Sequence, residues 1–193
     1  SLEVIATVAE THAPYLSGFA SLGYDTPGYG YGDKDAEGTP ILQRGLGDLA
    51  KEFNVPYVVD NAWGLPFVGH DPRKTGADVL IYSMDKATGS GTSGLIIGRE
   101  DVMVPIRRAL GMHGDRWGTT ASYGKAAYVT LDPGKEALLT QVAVLKDLRD
   151  NPEMYTKQVD ELYEIVTSEV EKANPKLRQG LKISKSYNSS TVE

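Results

Sequence analysis

GADVLIYSMDKATGSGTSGLIIG, residues 76–98, is the stretch on which the fold turns. Its apolar run, Ala77 to Tyr82, is short, rich in branched side chains and preceded by glycine. Such a run reads as a strand buried on both faces, as in parallel sheets covered by helices. Gly94–Gly98 repeats the pattern as a further strand. Between them stand Ser83, Lys86 and a tail of glycine, serine and threonine. A lysine just beyond a buried strand fits two roles: a solvated strand end, or an amine held at the mouth of a site. Lys86 alone does not choose.

Working outward, VPYVVD (55–60) is another strand, and it ends in an acid, Asp60. Before it, Thr39 and Pro40 predict a helix start, with Ile41, Leu42, Leu46, Leu49, Ala50 and Phe53 at helical spacing. Val4 to Val8 reads as one more buried strand. The glycine- and tyrosine-rich stretch 23–38 reads as a loop, either mobile surface or a cover for a site. After Glu100 the pattern turns helical: EDVMVPIRRAL, then a helix signalled by Asp132 and Pro133, then one signalled by Asn151 and Pro152. The last carries an apolar face of Met154, Val159, Leu162, Tyr163, Val166 and Val170. Strands alternating with helices predict an α/β fold. Two long successive helices predict a domain boundary between residues 135 and 155, dividing residues 1–140 from 141–193. Both ends of the chain read as strands cut across, so a piece of a longer protein is expected.

The chain has 193 residues, enough for a sizeable core, and a net charge of -6 with its charges scattered. No basic arm or stripe supports nucleic-acid binding. With no cysteine, disulfides, thiolate nucleophiles and cysteine metal sites are excluded. Three histidines far apart offer no metal spacing. No run approaches the roughly 18 apolar residues of a membrane span. A soluble, cytoplasmic protein is expected.

In open α/β sheets ligands sit beyond the carboxyl ends of the strands. Two successive strands would therefore deliver Asp60 from one, Ser83 and Lys86 from the next, into one crevice. Pyridoxal 5′-phosphate suits that set. Its aldehyde forms a Schiff base with a lysine, and its ring nitrogen needs a carboxylate to stay protonated. A hydroxyl can serve its phosphate, and a small residue such as Ala62 can lie against its ring.

D-x-A followed by S-x-x-K resembles the cofactor site of the fold type I pyridoxal-phosphate enzymes, the aspartate aminotransferase superfamily. VPYVVDNAWG and GADVLIYSMDKATGSGTSGLIIGRED most resemble its selenocysteine synthase and phosphoseryl-tRNA selenium transferase group, which includes related ammonia lyases. The resemblance runs over residues 4–130. It implies part of a three-layer α/β/α large domain of the pyridoxal-phosphate-dependent transferase fold, followed by the start of a smaller α+β domain. It implies that Asp60 pairs with the ring nitrogen, Ala62 packs on the ring, Ser83 binds the phosphate, and Lys86 holds the cofactor and then shuttles a proton. His12 would stand near the ring. Of the arginines that could hold a substrate carboxylate or phosphate, Arg116 ranks first, and the pair Arg107–Arg108 reads rather as a solvated helix face; Asn61 is a further candidate for a polar contact to the substrate. The implied reaction is at Cα or Cβ of an amino-acid-like substrate, of lyase or seleno/thio-transferase type. A small amino-group substrate and a homo-oligomer are the implied partners; tRNA has no support in the acidic composition. The family's main phosphate-binding turn lies upstream of the matching strands and has no counterpart among these residues.

Two other classes stay open on sequence. One is a serine acyltransferase using Ser83-x-x-Lys86, although K-T-G (74–76) here precedes that motif and S-D-N is absent. The other is a non-catalytic fragment or degenerate paralogue serving as an interaction domain.

Overall fold

Four strands form the central sheet: β1 Phe19–Leu22, β2 Tyr57–Asp60, β3 Val79–Ser83 and β4 Gly94–Gly98, side by side in that order. The first three run parallel and β4 runs antiparallel to β3. The structure, a computed structural model, describes residues 1–23, 33–68, 71–86, 88–109 and 134–193. Strands β2 and β3 are largely covered, as their mostly apolar sequence requires. Tyr57 and Val59 of β2 are fully buried, and Val79, Leu80 and Tyr82 of β3 nearly so.

Helices supply the cover. They are α1 Leu2–His12, α2 Ile41–Glu52, the single-turn α3 Pro72–Thr75, α4 Glu100–Ala109, α5 Lys135–Asp150, α6 Pro152–Lys172 and the single-turn α7 Pro175–Arg178. A two-stranded antiparallel hairpin, β5 Lys185–Ser186 and β6 Thr191–Val192, stands apart from the main sheet. The core gathers Ala9, Phe19, Leu46, Ala50, Tyr57, Val59, Leu80, Tyr82 and Met84, with Leu2, Ile5, Leu42 and Leu49 packed against it.

The expected strand at Val4–Val8 is a helix. Leu2, Ile5 and Ala9 fall on one side at helical spacing and reach the core, whereas Val4 and Val8 face outward at 61% and 54% exposure. Thr7 and Thr11 donate their hydroxyls back to the carbonyls of Glu3 and Thr7, the local bond that lets threonine sit on a helix. The true first strand, FASL, went unread, because Ala20 and Ser21 carry little strand preference. What holds it is tertiary: Phe19 to Leu22 pair with Tyr57 to Asp60, and the Ser21 and Tyr57 hydroxyls meet at 2.7 Å.

Other expectations fare better. The helix expected from Thr39 begins at Ile41, with Pro40 as its flanking residue. The two strands around Lys86 are β3 and β4, closed as a hairpin by Ser83 opposite Gly94 and by Met84 N–H donating to the Ser93 carbonyl at 2.9 Å. The signal at Asp132–Pro133 lies outside the described residues, and α5 follows it. In α6, Val159 is buried, while Met154 and Leu162 of the expected apolar face remain 43% and 41% exposed.

Candidate functional site

The carboxyl ends of β1, β2 and β3 meet along one edge of the sheet. Gly23 N–H, just past β1, donates to the Asp60 carbonyl at 2.7 Å. Past β2 the pairing with β3 continues: Asn61 N–H donates to the Ile81 carbonyl at 2.8 Å, and Ser83 N–H to the Ala62 carbonyl at 3.3 Å. This extension sets Ala62 directly beside Ser83, with Asp60 and Lys86 flanking them in sequence. Asp60 and Lys86 are exposed, and Ala62 and Ser83 half-buried. The edge thus offers an accessible carboxylate and an accessible amine on neighbouring parallel strands, where α/β folds bind ligands.

Three contacts fix this edge. An Asp60 carboxylate oxygen accepts from Ala62 N–H at 3.1 Å, turning the chain away from the strand. Lys86 Nζ lies 5.7 Å from the centroid of the Trp63 ring, within range of a cation–π attraction. The Ser83 hydroxyl donates to the Asp85 carboxylate. That bond, with the Lys86 charge beside it, holds the Asp85 carboxyl below the ordinary carboxylate range. The Ser83 hydroxyl can therefore donate to another acceptor only by releasing Asp85. Under the Lys86 turn, Ser90 donates to the Met84 carbonyl at 2.6 Å and is itself buried.

Trp63 and Asp85 are the members that sequence reasoning passed over. Asp85 had a visible signal, an acid two residues after a serine at a strand end, a spacing that favours local side-chain bonding. Trp63 stands half exposed, its ring beside the amine.

Asn61 is drawn away from the crevice. Its side chain is fully buried and paired with Asn188, so it does not face a substrate at the site's mouth. His12 closes α1, which precedes β1. Because Phe19 N–H bonds the Pro56 carbonyl just before β2, the chain enters β1 at the amino ends of the strands. His12 is exposed, at the end of the helix that precedes that entry. Arg116, His70, His113 and Trp117 lie outside the described residues. The acyltransferase arrangement is not assembled either: Lys74–Gly76 leads into the amino end of β3 while Ser83 closes its carboxyl end, and the Ser83 hydroxyl points to Asp85.

Beside this edge lies a cleft of about 380 Å³, with Gly23, Thr39, Lys74, Tyr187 and Asn188 in its walls. Among the described residues, no cluster of three histidines or acids could hold a metal, and no helix is long and apolar enough to cross a membrane.

No protein-family profile matches the sequence, and no curated protein does. Solved structures match at low identity. One is a SepCysS–SepCysE N-terminal domain complex, 14% identical, with a TM-score of 0.58 over 95% of this chain and 44% of that one. A second is alanine–glyoxylate aminotransferase from Nostoc sp., 17% identical, with a TM-score of 0.54 over 95% and 46%. A third is pyridoxamine-pyruvate aminotransferase from Mesorhizobium loti, 14% identical, with a TM-score of 0.50 over 95% and 44%. The chain spans less than half the length of these proteins. What they share with it is the fold: its α/β layers are those of the pyridoxal-phosphate-dependent transferase fold.

Proposed function

We propose that this chain is part of a pyridoxal-phosphate-dependent enzyme acting at Cα or Cβ of an amino-acid-like substrate. The observation that carries the reading is the edge itself. An exposed amine, Lys86, and an exposed carboxylate, Asp60, stand at the carboxyl ends of adjacent parallel strands, joined through the Ala62–Ser83 bond. This donor set fits the cofactor: an amine for an aldehyde, a carboxylate for a ring nitrogen, a small side chain for a flat face, a hydroxyl for a phosphate. When bound, pyridoxal 5′-phosphate supplies an electron-withdrawing ring that stabilises negative charge at the substrate's Cα.

The residues of the chain would divide the work as follows. Lys86 Nζ would hold the cofactor by its aldehyde and, when free, would take the proton from the substrate's Cα. Asp60 keeps a proton on the ring nitrogen through a charge-assisted hydrogen bond. Ala62 lies against the ring, and the Trp63 ring shields the amine from bulk water on one side. Ser83 exchanges Asp85 for a phosphate oxygen. Within this class we favour lyase or seleno/thio-transferase chemistry, on the likeness of the Asp60 and Lys86 segments to that group. A second copy of the chain is the partner this class implies.

The test is chemical. The protein is incubated with pyridoxal 5′-phosphate, reduced with borohydride, digested and mapped. A label concentrated on Lys86, absent after Lys86→Ala and weakened by Asp60→Ala, is the expected result. Labelling spread evenly over exposed lysines, with Lys86 no more reactive than Lys74 or Lys182, would sink the reading.

A further inference from the structure

Asn61 and Asn188 lie 127 residues apart and meet inside the protein. Asn61 is 0% exposed and Asn188 4%. Asn61 Nδ2 donates to Asn188 Oδ1 at 3.0 Å, and Asn188 Nδ2 returns a bond to Asn61 Oδ1 at 2.7 Å. Asn188 Nδ2 also donates to the Gly23 carbonyl at 2.7 Å, and this third bond fixes which way both amides face. The Asn188 carbonyl accepts Leu65 N–H at 2.7 Å, while the Asn61 carbonyl accepts Gly64 N–H at 2.8 Å. Glycine is required on both sides of Asn61: a Cβ on Gly23 or Gly64 would come within 2.3 Å of its amide.

We propose that Asn61 and Asn188 form a positioning pair that locks the exit of β2, and so sets where Asp60 and Trp63 stand relative to Lys86. The inference rests on the proposed function for the roles of Asp60 and Lys86. Its physical basis is the turn 61–65. This turn is bonded at both its ends to one asparagine from the far end of the chain, and Asp60 is the residue immediately before it. Asn188 sits between β5 and β6, whose hairpin is itself tied down: Lys185 Nζ and Tyr187 O–H both donate to Asp160 of α6 at 2.7 Å. The brace therefore runs from α6 through the hairpin to the crevice. Fully satisfied buried amides of this kind specify a single arrangement, and removing one strands the groups it served.

The test compares Asn188→Ala with wild type, using Leu148→Ala as a variant destabilised at a buried position of α5. Amide hydrogen exchange is read at Gly64 and Leu65, and pyridoxal 5′-phosphate affinity by titration. Asn188→Ala is expected to speed exchange at both amides and to weaken affinity, each by about tenfold or more. Leu148→Ala should lower the melting temperature without either local effect. Asn188→Asp gives the graded case and replaces the alanine variant if that fails to fold. Its carboxyl can donate only when protonated, so its affinity deficit against wild type should shrink as pH falls. Wild-type exchange rates in the Asn188 variants would overturn the proposal. So would unchanged affinity in a variant whose exchange is fast, given a wild type that labels at Lys86. If the wild type does not label, the proposed function fails on that arm, and exchange alone decides whether the pair holds the turn.

Discussion

Two glycines in α2 are expected to respond to alanine in opposite ways. Glycine in a helix interior costs about 1 kcal/mol relative to alanine, so sequence alone predicts that Gly45→Ala and Gly47→Ala both stabilise. At Gly45 the new methyl would meet the Leu2 side chain at 2.3 Å and 2.8 Å. Those are the free ends of a flexible chain at the start of α1, and they can turn away. At Gly47 the methyl would fall 1.9 Å from the Thr75 carbonyl oxygen, 2.9 Å from its carbon and 3.1 Å from Gly76 Cα. All three are backbone atoms. Thr75 is also held by its own bond to the Asp71 carbonyl at 3.3 Å, and Gly76 by one to Pro72 at 2.8 Å. The contact cannot be relieved without separating α2 from α3.

Overpacking of this kind costs about 1–3 kcal/mol, occasionally more, which outweighs the helix-propensity gain. Gly47→Ala is therefore expected to destabilise by up to about 2 kcal/mol net, and Gly45→Ala to be neutral or slightly stabilising. Urea unfolding measures both: the midpoint should fall for Gly47→Ala at constant slope and hold or rise for Gly45→Ala. For a domain of this size, each kcal/mol corresponds to about 2–4 °C in melting temperature. A Gly47→Ala variant as stable as Gly45→Ala would refute the packing of α2 on α3 described above. It would also remove the reason why that wall of the cleft stands where it does.

Three further outcomes are expected. Tyr155 donates to Asp147 at 2.6 Å, and burial, with that carboxylate beside it, pushes its phenol from 10.0 up to about 12. Between those values the unfolded chain ionises while the folded one keeps its proton, so the stability this group contributes, present below pH 10, is lost as pH rises toward 12. Thermal melts across that window should show the loss, and Tyr155→Phe should lessen it. Asp85→Asn removes a negative charge next to the Ser83 hydroxyl and is expected to tighten pyridoxal 5′-phosphate binding by about threefold to tenfold; weaker binding on titration would show that Asp85 supports the site instead of competing for Ser83. Leu148 is fully buried, and Leu148→Ala is expected to cost about 2–5 kcal/mol in urea unfolding.

Sequence showed the parallel core of the sheet because that core is locally encoded. VPYVVD and ADVLIY are apolar on both faces and bounded by turn residues, and their burial in β2 and β3 follows from that alone. Residues 4–8 misled because five apolar or small residues fit a buried strand and one side of a helix equally. Only the packing of Leu2, Ile5 and Ala9 on the core resolves them. FASL was invisible for the converse reason: its strand state is imposed by β2, not by its own side chains. The sense of β4 was also beyond reach, since GLIIG reads the same in either direction until the Ser83–Gly94 closure is known.

The site divides along the same line between local and distant causes. Asp60, Ala62, Ser83 and Lys86 sit within a few residues of strands that sequence identifies, so their convergence on one edge followed from strand polarity. Asn61 sits among them in sequence yet differs in kind. Read locally, it is a polar residue at a strand exit and belongs with the substrate contacts. Its burial comes from two glycines, one before and one after, that leave room for its amide, and from a partner 127 residues away. No local pattern encodes such a pairing. The consequence is mechanical. The exposed residues of the edge are free to meet a ligand because a buried neighbour carries the bonds that hold the turn. On the proposal above, Asp60 depends for its position on residue 188 as well as on the strand that delivers it. Substitutions in the β5–β6 hairpin should thus reach the crevice through Asn188.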